Sequence, residues 1–254
     1  MKILAVDTST RHLSIAVTDG DKALVAHNAR PRKDLSLTIT FDIEHALEQA
    51  GIVLHNIDGF VVGLGPGSFT SLRVGMSMMK AFIMVTEKPV VGISSLDAIA
   101  MNVKAHASTQ VCVINDARRN LLYSAIYEKK DTGLTRKSEY LLKPIDEVLV
   151  LLQGETVFIG DGIQLYRDHI TAKAHEWQGR FTPHFETDKH WLPHAKELAR
   201  LGYQRFLRGE TDKIDTLAPL YLYPQDCMVS TKKSAVSSQP SAGKSAADSP
   251  RADS

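Results

Sequence analysis

Cysteine is nearly absent from this chain. Its two cysteines, Cys112 and Cys227, stand far apart and outside any C-x-x-C spacing. That excludes a disulfide framework and a zinc knuckle, and Cys112, set in an apolar run, reads as a buried structural thiol. An excess of charge of one sign is also missing, since 30 basic and 29 acidic side chains leave a formal net charge of +1. A strongly basic nucleic-acid binder acting through its bulk field is thereby excluded, and only a local basic patch remains open. No apolar run approaches membrane-spanning length, and the chain enters an apolar segment directly after Lys2 without the pattern of a signal peptide. These absences lead to the expectation of a cytoplasmic protein with no membrane contact.

Spelled-out catalytic motifs are missing as well. There is no G-x-x-x-x-G-K-[ST], no dinucleotide fingerprint and no G-x-S-x-G around Ser9, Ser68 or Ser94-Ser95. His190 and His194 have the H-x-x-x-H spacing of a metal site, but Pro193 between them favours a helix start there, and no Glu follows His190 as a hydrolytic base. A zinc site and a metallopeptidase reading are therefore weak alternatives.

What is present is an ordinary globular composition, 43% hydrophobic and 23% charged over 254 residues, enough for two modest domains or one large one. The most distinctive stretch is Gly63-Leu64-Gly65-Pro66-Gly67-Ser68-Phe69-Thr70-Ser71-Leu72-Arg73-Val74-Gly75. The apolar run Phe60-Val61-Val62 leads into it and a long apolar helix leaves it. It reads as a strand, a glycine turn and a helix start, where α/β folds place ligands or partners. Ser68 or Thr70 can cap the first turn.

Taken in order, Ile3–Val6, His12–Val17 and Ala23–His27 read as three strands, with Asp19-Gly20 a tight hairpin and a loop around Pro31. A helix over about 35–50 carries Leu35, Ile39, Ile43, Leu47 and Ala50 on one stripe and stops at Gly51. After strand four and the glycine loop, a helix over 70–87 shows Leu72, Gly75, Met76, Met79 and Ile83 on one face. Val74, Met78, Ala81 and Val85 form a second apolar face. Such a helix needs cover on nearly all sides, from a sheet and from another helix of this chain or a partner. Val90–Ile93 is strand five. Beyond Gln110 the order begins again: strands at 111–114, 121–127 and 134–142 with a turn at Asp131-Thr132-Gly133, a helix opened by Pro144, and a strand at 157–159. A short helix and a strand near 180–185 follow, then a helix over about 193–209. From residue 229 the Ser, Ala, Lys and Pro composition predicts a disordered tail.

Two βββαβ units in tandem predict a duplicated ribonuclease H-like α/β fold of the actin-like ATPase superfamily, with mixed sheets. Residues 1–104, completed by the helix at 193–209, would form one subdomain; 105–192 with 210–228 would form a smaller one. In that architecture an acid at the end of each first strand would serve a nucleotide and its metal. Asp7 and Asp116 stand there, but the turns that follow lack glycine, and Arg118 and Arg119 are bulky where backbone must approach phosphate. Asp7, Thr8, Ser9, Arg73 and Arg118 are the candidates for a nucleotide or anion contact, beside the plainer reading of strand-end turns. A nucleotide-binding phosphotransferase is the alternative function on these grounds. No convincing catalytic set emerges.

These features together resemble the bacterial TsaB (YeaZ) family. The resemblance rests on Ile3-Leu4-Ala5-Val6-Asp7-Thr8-Ser9-Thr10, Gly65 to Gly75, Gly92-Ile93-Ser94-Ser95-Leu96, Asp116-Ala117-Arg118-Arg119, Gly160-Asp161-Gly162 and Pro219-Leu220-Tyr221-Leu222. It covers about residues 1–224. It implies a non-catalytic scaffold subunit of the complex that installs threonylcarbamoyl on the adenosine next to the anticodon of ANN-decoding tRNAs. The implied partners are the metal-holding catalytic paralogue TsaD, the ATPase TsaE, the synthase TsaC upstream, tRNA through the complex, and a second copy in TsaD's absence. No tightly bound cofactor is implied; ATP or ADP with Mg would sit at the complex interface. The pairing surface is implied on the first two helices, at Leu35, Ile39, Ile43, Leu72, Met76, Met79 and Ile83. The chain departs from the family at Ser71, a glycine in relatives, and near Leu35, where relatives carry a histidine.

Overall fold

The computed structural model describes residues 1–30, 34–104, 109–130 and 133–223. The expected loop around Pro31, the turn at Asp131-Thr132, Cys227 and the tail beyond residue 229 lie outside the described residues.

Met1–Leu222 form one compact unit that holds two sheets. Strands β1 (Lys2–Asp7), β2 (Leu13–Asp19), β3 (Lys22–Ala29), β4 (Gly59–Gly63) and β5 (Val90–Ile93) make the first, in the order β3-β2-β1-β4-β5. The first three pair antiparallel, and β4 and β5 add in parallel to β1. The continuous apolar runs of β1, β4 and β5 fit this placement, since a strand covered by helices on both faces needs apolar side chains on both.

Helices α1 (Leu35–Ala50) and α2 (Phe69–Thr86) cover one face of this sheet, packing Ile39, Ile43, Met76, Met79 and Ile83 onto Leu4, Val6, Ile15, Phe60 and Val62. Each such side chain contributes about 1.5–3 kcal/mol through burial. Gly51, at φ 66°, ends α1 with its N–H on the Leu47 and Glu48 carbonyls, the left-handed cap its position predicts. The other face is covered by α6 (Ala195–Leu207), whose Leu198 and Ala199 meet Ile3, Ala5, Val61 and Val91.

The second sheet repeats the plan. Strands β6 (Gln110–Arg118), β7 (Leu121–Lys130), β8 (Gly133–Arg136), β10 (Gly154–Ile159) and β11 (Phe181–Phe185) run in the order β11-β10-β6-β7-β8, with β9 (Leu141–Lys143) also paired to β7. Three antiparallel strands followed by two parallel additions in each sheet constitute the duplicated ribonuclease H-like fold. The single strand expected over 134–142 is in fact β8 and β9. The chain breaks because the Lys137 and Ser138 N–H groups both bond the Ile126 carbonyl while the Ser138 hydroxyl accepts the Ile126 N–H. Helices α4 (Ile145–Leu149) and α5 (Ile163–Glu176) close this sheet's core around Phe158 and Phe181.

Helix α3 (Ser95–Ala100), with Ser94 accepting the Leu96 N–H as its cap, has no counterpart among the elements the sequence predicts. Six residues are too few to show periodicity. It joins the two sheets: Leu96, Ile99 and Ala100 pack against Val111, Val113 and Ala125, while Ala98 belongs to the cluster on α6. Among the described residues no helix is long and apolar enough to cross a membrane.

Candidate functional site

The two strand-end acids behave differently. β1 delivers Asp7 into the protein, where its side chain is fully buried. Oδ1 accepts from the Ser9 N–H at 2.8 Å and the Ser9 hydroxyl at 2.7 Å, and Oδ2 accepts from the Ser95 hydroxyl. Burial raises its pKa above the usual carboxylate value, and the three hydrogen bonds pull against that rise. Thr8 and Ser9 are buried with it.

The glycine loop closes directly over this turn. Ser68 donates its N–H to the Ser9 carbonyl at 2.7 Å. A Cβ on Gly67 would lie 2.1 Å from that same oxygen, and one on Gly75 would lie 2.3 Å from the Thr8 Oγ1. Both positions therefore need glycine for close approach to the β1–β2 turn. Ser94 and Ser95 fasten the loop from the far side: the Gly65 N–H donates to Ser95 Oγ, and the Ser94 hydroxyl and Ser95 N–H donate to the Gly65 carbonyl. Their role in holding the loop was hidden in sequence because they lie ~30 residues from it. Thr8 and Ser9 are buried beneath the glycine loop, and both oxygens of Asp7 already accept hydrogen bonds from Ser9 and Ser95. The residues present do not fit ATP with Mg²⁺ at this turn.

In the second half the β6–β7 hairpin is exposed. Arg118, Arg119 and Asn120 all hold positive φ, at 68°, 54° and 60°. Arg118 is tied to Asp116, its N–H on Oδ1 at 2.8 Å and its guanidinium 3.1 Å from Oδ2. The Asp116 N–H in turn bonds Asp161, whose pKa burial raises. His190 and His194 share no helix. His190 ends a single 3₁₀ turn and bonds Glu186 at 2.9 Å, whereas His194 is the residue before α6. Among the described residues no group of three or more His, Cys, Asp and Glu could hold a metal ion.

The helix pair needs a correction at residue level. Ile39, Ile43, Leu72, Met76, Met79 and Ile83, expected at a partner surface, are buried in this chain's own core, and Leu35 is half-buried against it. The stripes are apolar, but they face the sheet, because the sheet has first claim on the continuous one. The surface they leave carries other residues. Leu37 is 73% exposed, Phe41 68%, Met84 71% and Val85 68%. Between the helices runs a groove of about 420 Å³ lined by Ser36, Ile39, Arg73, Val74, Ser77, Met78 and Ala81. Ser68 caps α2, and Ser71 extends the cap, its hydroxyl 2.9 Å from the Ser68 hydroxyl. Arg73 is exposed at the groove's end. Its guanidinium lies 3.7 Å over the Phe69 ring and its Nε donates to the Tyr221 hydroxyl at 3.2 Å.

The chain is similar to known proteins over most of its length. The family model described as "TsaD: tRNA N6-adenosine threonylcarbamoyltransferase" matches residues 32–231. The Escherichia coli K12 protein called "tRNA threonylcarbamoyladenosine biosynthesis protein TsaB" is 29% identical over 227 residues, covering 87% of this chain and 94% of that one. Its Bacillus subtilis namesake is 27% identical over 228 residues, with the same coverage of 87% and 94%. The solved structure of YeaZ from Pseudomonas aeruginosa superposes with a TM-score of 0.71 at 23% identity, covering 87% of this chain and 99% of that one. The chain belongs to the TsaD-type threonylcarbamoyltransferase family and, within it, to the TsaB (YeaZ) family.

Proposed function

We propose that this chain is the non-catalytic, partner-binding subunit of an assembly that forms threonylcarbamoyladenosine on tRNA. It pairs through α1 and α2 with a TsaD-type paralogue that carries the chemistry, and it meets tRNA and a TsaE-type ATPase through that complex. The observation that carries this reading is the exposed apolar face of Leu37, Phe41, Met84 and Val85 beside an open groove. Four large apolar side chains left in water on two packed helices are the kind of surface a protein partner covers. The sealed Asp7 turn supports a non-catalytic role: with both carboxylate oxygens held by Ser9 and Ser95, no acid is offered to a metal or nucleotide there. For the same reason the phosphotransferase reading is not favoured. The separation of His190 from His194 onto different elements disfavours the peptidase.

The test is reconstitution with the TsaD-type paralogue of the same organism. Leu37→Glu with Met84→Glu should abolish co-elution and the formation of threonylcarbamoyladenosine on tRNA, while the chain's melting temperature stays within a few degrees of wild type. Undiminished pairing by the doubly charged variant would sink the proposal.

A further inference from the structure

The two helices of the exposed face carry opposite charge. α1 contains Asp42, Glu44 and Glu48 and no Lys or Arg; α2 contains Arg73 and Lys80 and no acid. On α1 the exposed residues Leu37, Phe41, Glu44 and Glu48 follow one another at helical spacing, so the acids continue the apolar stripe. On α2 the exposed stripe is Arg73, Ser77, Ala81 and Met84, with two small residues in the middle. Both small residues are among those lining the groove, where they present little bulk to an incoming side chain.

Arg73 is held ready at one end of this groove. Phe69 supports the guanidinium's face and Tyr221 pins its Nε, and Phe69 and Tyr221 themselves pack with ring centroids 5.3 Å apart. Among the described residues neither terminal nitrogen of Arg73 has an acceptor. A guanidinium fixed in this way offers its two-nitrogen edge to a carboxylate with little ordering cost. The first turn of α2 has no acid, so the helix's positive end also favours an incoming anion.

We propose that Arg73 is the polar determinant of pairing at this face, and that it receives a carboxylate from α1 of a second copy running antiparallel to α2. This rests on the reading of α1 and α2 as the pairing face and adds which helix meets which. The spacing supports it. With the partner's Phe41 seated over Ser77, Arg73 lies four residues toward the N-terminus of α2, about 6 Å along the axis. Glu44 of the partner subunit lies three residues toward the C-terminus of its α1, about 4.5 Å. Antiparallel helices bring the two together, whereas parallel helices would carry the acid away toward Ala81 and Met84. The two-fold repeats the contact, so each copy both gives and receives.

The experiment is sedimentation velocity on the full chain across a concentration series. Arg73→Glu, and more mildly Arg73→Gln, should weaken self-association, Arg73→Glu by about tenfold or more, the range seen for close interfacial charge pairs. Combining Arg73→Glu with Glu44→Arg should recover most of that loss. A wild-type chain monomeric at every concentration, unchanged association of Arg73→Glu, or no recovery in the swapped pair would each overturn the proposal. Met84→Glu separates the two levels: if it abolishes association while Arg73→Glu does not, the face stands and the Arg73 assignment falls. If neither variant affects an association that does occur, the face itself is wrong.

Discussion

Two methionines five residues apart on α2 give the sharpest test of which face the helix keeps for itself. Met79 has no exposed surface and packs in the cluster of Leu4, Phe60 and Val62, whereas Met84 is 71% exposed. Replacing Met79 with Glu removes a buried apolar side chain, a loss of about 2–5 kcal/mol on the scale of large-to-small core changes. It also places a carboxyl where no partner stands, adding several kcal/mol unless the group stays protonated. Together these approach the whole stability of a typical domain, about 5–15 kcal/mol. Met84→Glu should leave the isolated chain within about 0.5 kcal/mol of wild type, as exposed substitutions do. In the paired state the same charge is desolvated, and a penalty of about 3 kcal/mol lowers affinity more than 100-fold. Urea denaturation of the isolated chain reads the first pair of numbers, and titration calorimetry against the partner reads the second. A stable, well-folded Met79→Glu chain, or a Met84→Glu chain that unfolds, would show that the inward and outward faces are assigned the wrong way round.

Gly75→Ala gains helix propensity of at most about 1 kcal/mol but sets a methyl 2.3 Å from Thr8 Oγ1. A net loss of about 1–3 kcal/mol is expected in urea midpoints, partly recovered when Thr8→Ala is combined with it. Asp7 has a folded-state pKa above its unfolded value of 3.8, so its stabilising contribution is complete below that pH and is lost as pH rises through the folded value. The stability difference should therefore shift in favour of Asp7→Asn as pH rises from about 4 toward neutrality; a difference independent of pH would refute the assignment. Arg119→Gly relieves a left-handed backbone at φ 54° and should raise stability by about 0.5–1 kcal/mol, with no effect on pairing.

The helices and strands with long, strongly periodic or continuously apolar runs were legible in the sequence. α1 spans 35–50 as its stripe and Gly51 indicate, and β5 spans 90–93. The repeated strand order, and with it the duplicated fold, followed from those runs. Short or broken elements were not legible, because α3 is too brief to show a period and the β8–β9 break depends on Ser138 meeting Ile126 across the sheet. The site was legible in kind but not in residues. A helix apolar on two faces announces that something beyond its own sheet covers it, yet period alone cannot say which face the sheet takes. The choice is made by Phe60, Leu4 and Val62, which lie outside the helix. Likewise, Asp7 and Gly67 each invited a phosphate reading, and only their mutual contact through Ser9 shows that they satisfy each other.

The energy of that exposed face also explains why a polar determinant is needed. Leu37, Phe41, Met84 and Val85 each leave about 70% of their side chains in water. Burying that remainder on pairing yields about 1–2 kcal/mol apiece, roughly 4–8 kcal/mol for each copy and roughly 8–16 kcal/mol for a two-fold pair at the usual transfer scale. Association costs an estimated 4–15 kcal/mol in lost freedom, so the apolar side chains of the two copies together sit near break-even. The groove around Ser77 and the forked contact at Arg73 then decide whether a given helix pair binds at all. Apolar surface of this modest size selects few partners by itself. A rigid cation at one end of the groove, matched by acids on α1 and by none on α2, confers both orientation and choice. Exchange of a second copy for a paralogue at this face would then turn on whether the paralogue's helix sets a carboxylate against Arg73 more closely than Glu44 does.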